Sequence, residues 1–134
     1  MNPNFEDFEI DLTQVSELTL APVPPGIYNA RIDDAEFRTS QNNNPVLSVA
    51  FEVETDEGRR KVFANFVLNN DIGLARLKKL LSVVAPELLT SFRPAEAAAE
   101  LIGREARIRI RHRRGRDGEL RAEVQDVLPK ELEF

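Results

Sequence analysis

Between Pro45 and Glu54 every second residue carries a large apolar side chain: Leu47, Val49, Phe51 and Val53 alternate with Ser48, Ala50 and Glu52. A period of two is the spacing of a β-strand, whose side chains point alternately to opposite faces, and a helix cannot gather these four residues onto one side. The segment is therefore a strand with a buried face, and that face needs partners.

Four other stretches supply them. In "GIYNARIDDAEFRTS", Tyr28, Ala30 and Ile32 alternate until Asp33 and Asp34 shift the phase to Ala35 and Phe37, as a β-bulge does. "SQNNNP" is a turn by composition, and "TDEGR" closes a hairpin into "RKVFANFVL". That third strand sets Val62, Ala64, Phe66 and Leu68 against Lys61, Phe63, Asn65 and Val67. After Asn69 and Asn70, a plausible N-cap, Leu74, Leu77, Leu80, Leu81 and Val84 recur at helical spacing. A second short helix starts at Pro94 and stops at Gly103. Two more strands follow, "EARIRIRHRR" and "ELRAEVQDVL".

Three strands, a helical segment and two strands are the order of an all-β fold with an inserted helix, the five-stranded OB-type Greek-key barrel with its helix between strands 3 and 4. The same elements fit an open α+β sheet. Loop chemistry favours the barrel, because OB-folds bind oligonucleotides with strands 2 and 3 and with the loops joining strands 1 to 2 and 4 to 5. Here those loops are "RTSQNNNP" and "RRGRDG", both polar and mostly cationic. The expected organisation is an acidic arm and proline-rich linker over residues 1–25, an OB-type nucleic-acid-binding domain over 26–128, and a short acidic tail over 129–134.

Charge narrows the function. The chain of 134 residues has a formal net charge of −5, yet residues 104 to 121 hold eight arginines against Glu105, Asp117 and Glu119. On the fourth strand Arg107, Arg109, Arg111 and Arg113 share one face while Ala106, Ile108, Ile110 and His112 share the other. Glutamates of the last strand can pair with only part of that row, which predicts an external polyanion. Arg38, Arg113, Arg114 and Arg116 are the candidate phosphate contacts, with Arg109 and Arg111 continuing the track. Phe63, beside Lys61 and Asn65 and opposite the core face, is the candidate stacking platform, with Phe37 second. Phe51 and Phe66 belong to the core.

Catalysis has few handles. The sequence has one histidine, no cysteine, no phosphate-binding glycine loop and no histidine-bearing metal spacing. His112 reads as a packed histidine, and Asp33, Asp34 and Glu36 read as solvated acids at a bulge before they read as a magnesium site. The expectation is a non-enzyme with no cofactor. An acidic N-terminus and the lack of a long apolar run predict a cytoplasmic location without membrane contact.

The run "PPGIYNARIDDAEFRTSQNNNPVLSVAFEV", followed by "RRKVFANFVLNN" and "GLARLKKLL", resembles a family of phage and prophage proteins long catalogued as of unknown function. That family is regarded as OB-fold single-stranded DNA-binding proteins of recombination and replication modules, and the resemblance covers about residues 24 to 128. It implies single-stranded DNA as ligand, an aromatic at the position of Phe63, and phage recombinase or replication proteins as partners. A homo-oligomer is compatible with it. The rival expectation is an assembly module in which the arginine strand meets an acidic protein; a metal-dependent nuclease is a third.

Overall fold

A computed structural model describes residues 21–130. The strands are β1 (Gly26–Thr39), β2 (Pro45–Thr55), β3 (Gly58–Val67), β4 (Glu105–Arg114) and β5 (Leu120–Leu128). Between β3 and β4 lie helix α1 (Asp71–Val84), a 3-10 turn (Pro86–Leu88) and the short helix α2 (Pro94–Ala97), which runs into a second 3-10 turn (Ala98–Leu101). The strands form one antiparallel sheet in the order β3-β2-β1-β4-β5.

β1 serves two partners. Its first part pairs with β4, from Gly26 opposite Ile110 to Arg31 opposite Glu105, and its second part pairs with β2 as far as Thr39 opposite Pro45. The expected bulge lies where the β1–β2 register slips between Ile32 and Asp34. There the Ile32 amide donates to the Arg104 carbonyl at 2.9 Å and the Gly103 amide donates to the Ile32 carbonyl at 2.7 Å, so β1 leaves its β4 ladder without losing backbone partners.

The sheet is not closed by a ladder among the described residues: β3 and β5 come within 8 Å, Cα to Cα, but share no register. Helix α1 packs on both strands. From it Arg76 reaches across, its guanidinium 5.3 Å from the centre of the Phe66 ring on β3 while Nη2 donates to the Val124 carbonyl of β5 at 3.2 Å. One side chain thus satisfies an edge carbonyl and covers apolar surface between two strand edges.

One face of the sheet holds the core. Leu47, Val49, Phe51 and Val53 of β2 are fully buried, with Val62, Ala64 and Phe66 of β3, Ile108 and Ile110 of β4, and Val124 and Val127 of β5. Leu77, Leu80, Leu81 and Val84 of α1 close it from above. Burying a side chain the size of Phe51 stabilises the fold by about 2–3 kcal/mol.

Helix α1 begins where the Asn70 side chain accepts from the Gly73 amide at 2.7 Å, as the sequence predicts. A Cβ on Gly73 would lie 1.7 Å from the Val67 carbonyl oxygen, so only glycine lets the first turn sit this close to the end of β3. The helix stops at Ala85, which precedes Pro86 and lies outside the helical region (φ −152°, ψ 61°), because proline disfavours that region for its predecessor. Arg104 Nη1 donates to the Val84 carbonyl at 3.0 Å and meets Glu87 Oε1 at 2.6 Å, placing a cation at the carbonyl end of the helix.

Ala21 to Pro25 form a strap over one end of the sheet. Val23 is buried in the core, its carbonyl accepts from His112 Nε2 at 2.8 Å, and Arg60 Nη1 donates to the Ala21 carbonyl at 2.7 Å. Tyr28 Oη donates to the Pro24 carbonyl at 2.7 Å. His112 is therefore a packed histidine with its proton on Nε2, since a carbonyl can only accept.

Candidate nucleic-acid interface

Two groups of the expected site residues emerge, on different strands. The first is the β4–β5 hairpin. Arg109, Arg111 and Arg113 project outward from β4, and all three are exposed. Opposite them on β5 stand Asp126, Glu123 and Arg121 respectively.

Glu123 serves two cations at once: Arg111 Nε lies 2.9 Å from its Oε2 and Arg113 Nη1 lies 3.3 Å from its Oε1. Burial pushes the Glu123 carboxyl up, but hydrogen bonds and charge from Arg111 and Arg113 outweigh it and hold the group below its ordinary value. Arg121 is tied to Asp117 at 2.5 Å, and the Asp117 carboxyl is held low by the Glu119 amide first and by Arg121 as well, against a smaller upward push from burial. Arg114 Nη1 donates to the Gly118 carbonyl, which leaves its charge uncompensated. Arg109 and Arg116 have no hydrogen-bond or ion-pair partner among the described residues. From residue 105 to 128 seven arginines face five carboxylates, so neutralisation inside the hairpin is incomplete.

The second group is the outward face of β1, β2 and β3. The registers set Asp34, Ala50 and Phe63 in one row and Glu36, Ser48 and Asn65 in the next. Phe63 is 65% exposed, whereas Ala50 beside it is only 6% exposed despite facing outward. Most of the Phe63 side chain is thus open to solvent on this face. Arg38 Nε donates to Ser48 Oγ at 2.7 Å, Ser48 Oγ donates to Asn65 Oδ1 at 2.8 Å, and Arg38 Nη2 reaches the same oxygen at 3.5 Å. Lys61 is engaged otherwise: its Nζ lies 2.9 Å from Asp33 Oδ2, a hydrogen bond that with their mutual attraction lowers the aspartate pKa and raises that of the lysine. The bulge that shifts the phase of β1 is what brings Asp33 to that lysine. Phe37 follows the inward phase, opposite Leu47, at the mouth of the β1–β2 loop.

The sequence model of a family described as "Protein of unknown function (DUF669)" matches residues 8–132, nearly the whole chain. The chain belongs to the DUF669 family. No curated protein matches it.

In this DUF669 protein sequence reasoning missed three features. Ser48 links Arg38 to Asn65, and its only signal is a hydroxyl at an outward position of an otherwise apolar strand. Arg76 looks like a solvated helix cation but bridges two strands. The third is an open groove of about 430 Å³ over β2, β1 and β4, lined by Arg31, Arg59 and Lys130 together with Glu52, Glu54 and Glu105. Lys130 Nζ lies 2.8 Å from Glu105 Oε2, and that hydrogen bond with the lysine charge holds the Glu105 carboxyl low. Its cations and carboxylates are balanced, unlike those of the hairpin. Among the described residues no three histidine, aspartate or glutamate side chains gather as a metal site, and no helix is long and apolar enough to cross a membrane.

Proposed function

We propose that this protein is a non-enzymatic single-stranded DNA-binding protein of a phage or prophage replication or recombination module, built on an OB-type barrel. The approach of the β3 and β5 edges, bridged by Arg76 from a helix placed between strands 3 and 4, supports the barrel. The observation that carries the function is the uncompensated hairpin: Arg109 and Arg116 lack partners among the described residues, Arg111 and Arg113 share one carboxylate, and Arg113 stands opposite Arg121. A flexible polyanion supplies the missing negative charge, and the open ring of Phe63 supplies a surface on which an unpaired base stacks.

Binding is then electrostatic attraction plus stacking, tolerant of sequence and weaker for duplex, whose bases are already stacked. The protein coats the strand and presents it to recombination or replication enzymes in the host cytoplasm, alone or as a homo-oligomer. Fluorescence anisotropy of labelled oligo-dT against the corresponding duplex at several salt concentrations tests this. With about four phosphates neutralised, log K falls against log salt with a slope of roughly −3. Equal affinity for duplex and single strand, or a slope near zero, overturns it.

One observation favours a second reading, an assembly module: Ile72 and Leu74 on the first turn of α1 are exposed, at 76% and 46%. That reading requires a stable complex with an acidic protein and no oligonucleotide binding.

A further inference from the structure

The Arg38–Ser48–Asn65 chain has a direction. An arginine side chain only donates, so the Asn65 atom it approaches must be the carbonyl oxygen, and Ser48, which accepts from Arg38 Nε, has its own proton left to give to that oxygen. The Asn65 amide is thereby oriented with Oδ1 turned to Arg38 and Ser48. Its Nδ2 carries two donors that have no partner among the described residues.

Asn65 lies two positions from Phe63 on the same face of β3, roughly 7 Å along the strand, within the span of one stacked nucleotide. A base lying on the Phe63 ring therefore presents its edge to a group that offers hydrogens and takes none.

We propose that Asn65 is a specificity-determining residue that selects, for the base stacked on Phe63, an edge bearing carbonyl oxygens, as in thymine, uracil or guanine, over the amino edge of adenine. This rests on the single-strand reading above and adds a modest preference to an otherwise sequence-tolerant binder. The same donors also suit a phosphate oxygen, and the test separates the two sources. Ser48 and Arg38 act as positioning residues, because they hold the amide in this orientation.

The experiment measures the affinities of oligo-dT and oligo-dA for the wild-type protein and for Asn65→Asp at one salt concentration. The aspartate keeps an oxygen toward Arg38 and Ser48 but turns an acceptor outward. Its extra negative charge weakens both oligonucleotides alike and cancels in their ratio, as does any preference that arises from strand flexibility. The expected result is that the dT-over-dA ratio falls by about tenfold in the variant, the effect of one hydrogen bond. Asn65→Leu, which removes the donors without adding an acceptor, should lower the ratio by a smaller factor and guards against a folding defect in the first variant. If the ratio stays constant in both variants the inference is overturned with the single-strand reading intact, and a fall of both affinities in the uncharged Asn65→Leu then assigns the donors to phosphate. If neither oligonucleotide binds the wild-type protein, that reading fails and takes the base preference with it.

Discussion

Arg113 of β4 stands directly opposite Arg121 of β5, cation across from cation in the hairpin ladder. Like charges in that position are destabilising, and here they are only partly offset by Glu123 beside Arg113 and Asp117 beside Arg121. A pairing that weakens the isolated fold is understandable where the ligand is an anion.

Replacing Arg113 with glutamine should therefore separate stability from binding. Unfolding in urea should move by less than about 0.5 kcal/mol, because a lost exposed ion pair is offset by a lost repulsion. Oligonucleotide affinity should fall, and the slope of log K against log salt should become shallower by about 0.7, the contribution of one phosphate contact to a single strand. An unchanged slope would place Arg113 outside the contact surface.

Phe63→Ala should weaken oligo-dT binding by about 1–3 kcal/mol, the range for one stacked base, while leaving the fold cooperative. The ring is mostly exposed, so its loss should cost less than about 1 kcal/mol in chemical denaturation. Unaltered affinity would remove the stacking role.

Gly73→Ala should be severe for a substitution of one methyl group. The added carbon would sit 1.7 Å from a backbone oxygen of β3, which has no rotamer to yield, so α1 must move off the sheet. A loss of at least about 2 kcal/mol is expected by urea denaturation.

Glu123 gives a pH dependence whose sign is fixed by Arg111 and Arg113. Its carboxyl is held below the ordinary glutamate value of 4.5, so it contributes stability at neutral pH that disappears as the pH falls below that value and through its lowered pKa. Glu123→Gln should be less stable than wild type at pH 7, and the two curves should converge in acid. The same variant releases both arginines and should bind oligo-dT more tightly at pH 7, by up to about fivefold. Parallel stability curves for the two proteins would show that the shared carboxylate is not the source.

What was legible in the sequence is what depends on neighbours along the chain. Leu47 to Val53 announce their strand by alternation, Asp33 and Asp34 announce a bulge by breaking it, and Asn70 announces a cap by its side chain. The fate of individual cations was not legible, since it depends on register between distant strands. Lys61 meets Asp33 only because the bulge rotates that aspartate toward it, and the link from Arg38 to Asn65 needs three strands in one alignment. The β4–β5 register slips between Arg109 and Ile110 of β4, leaving Gln125 of β5 without a register partner, and this lets Val124 and Val127 both turn inward, which simple alternation does not anticipate. The strap was hidden for another reason: "APVPP" has no periodicity, so nothing local marks Val23 as a core residue.

The divided loyalty of β1 has a consequence for how the molecule assembles. Its pairing with β2 is local and propagates through short turns into β3, whereas Gly26 meets Ile110 only after a stretch of about 80 residues has been brought around. Closure entropy therefore delays the docking of the arginine hairpin on β1, although its own two strands are joined by a short loop. The meander of the first three strands is therefore expected to form before the cationic hairpin docks, and substitutions within the hairpin should register in the unfolding rate rather than the folding rate.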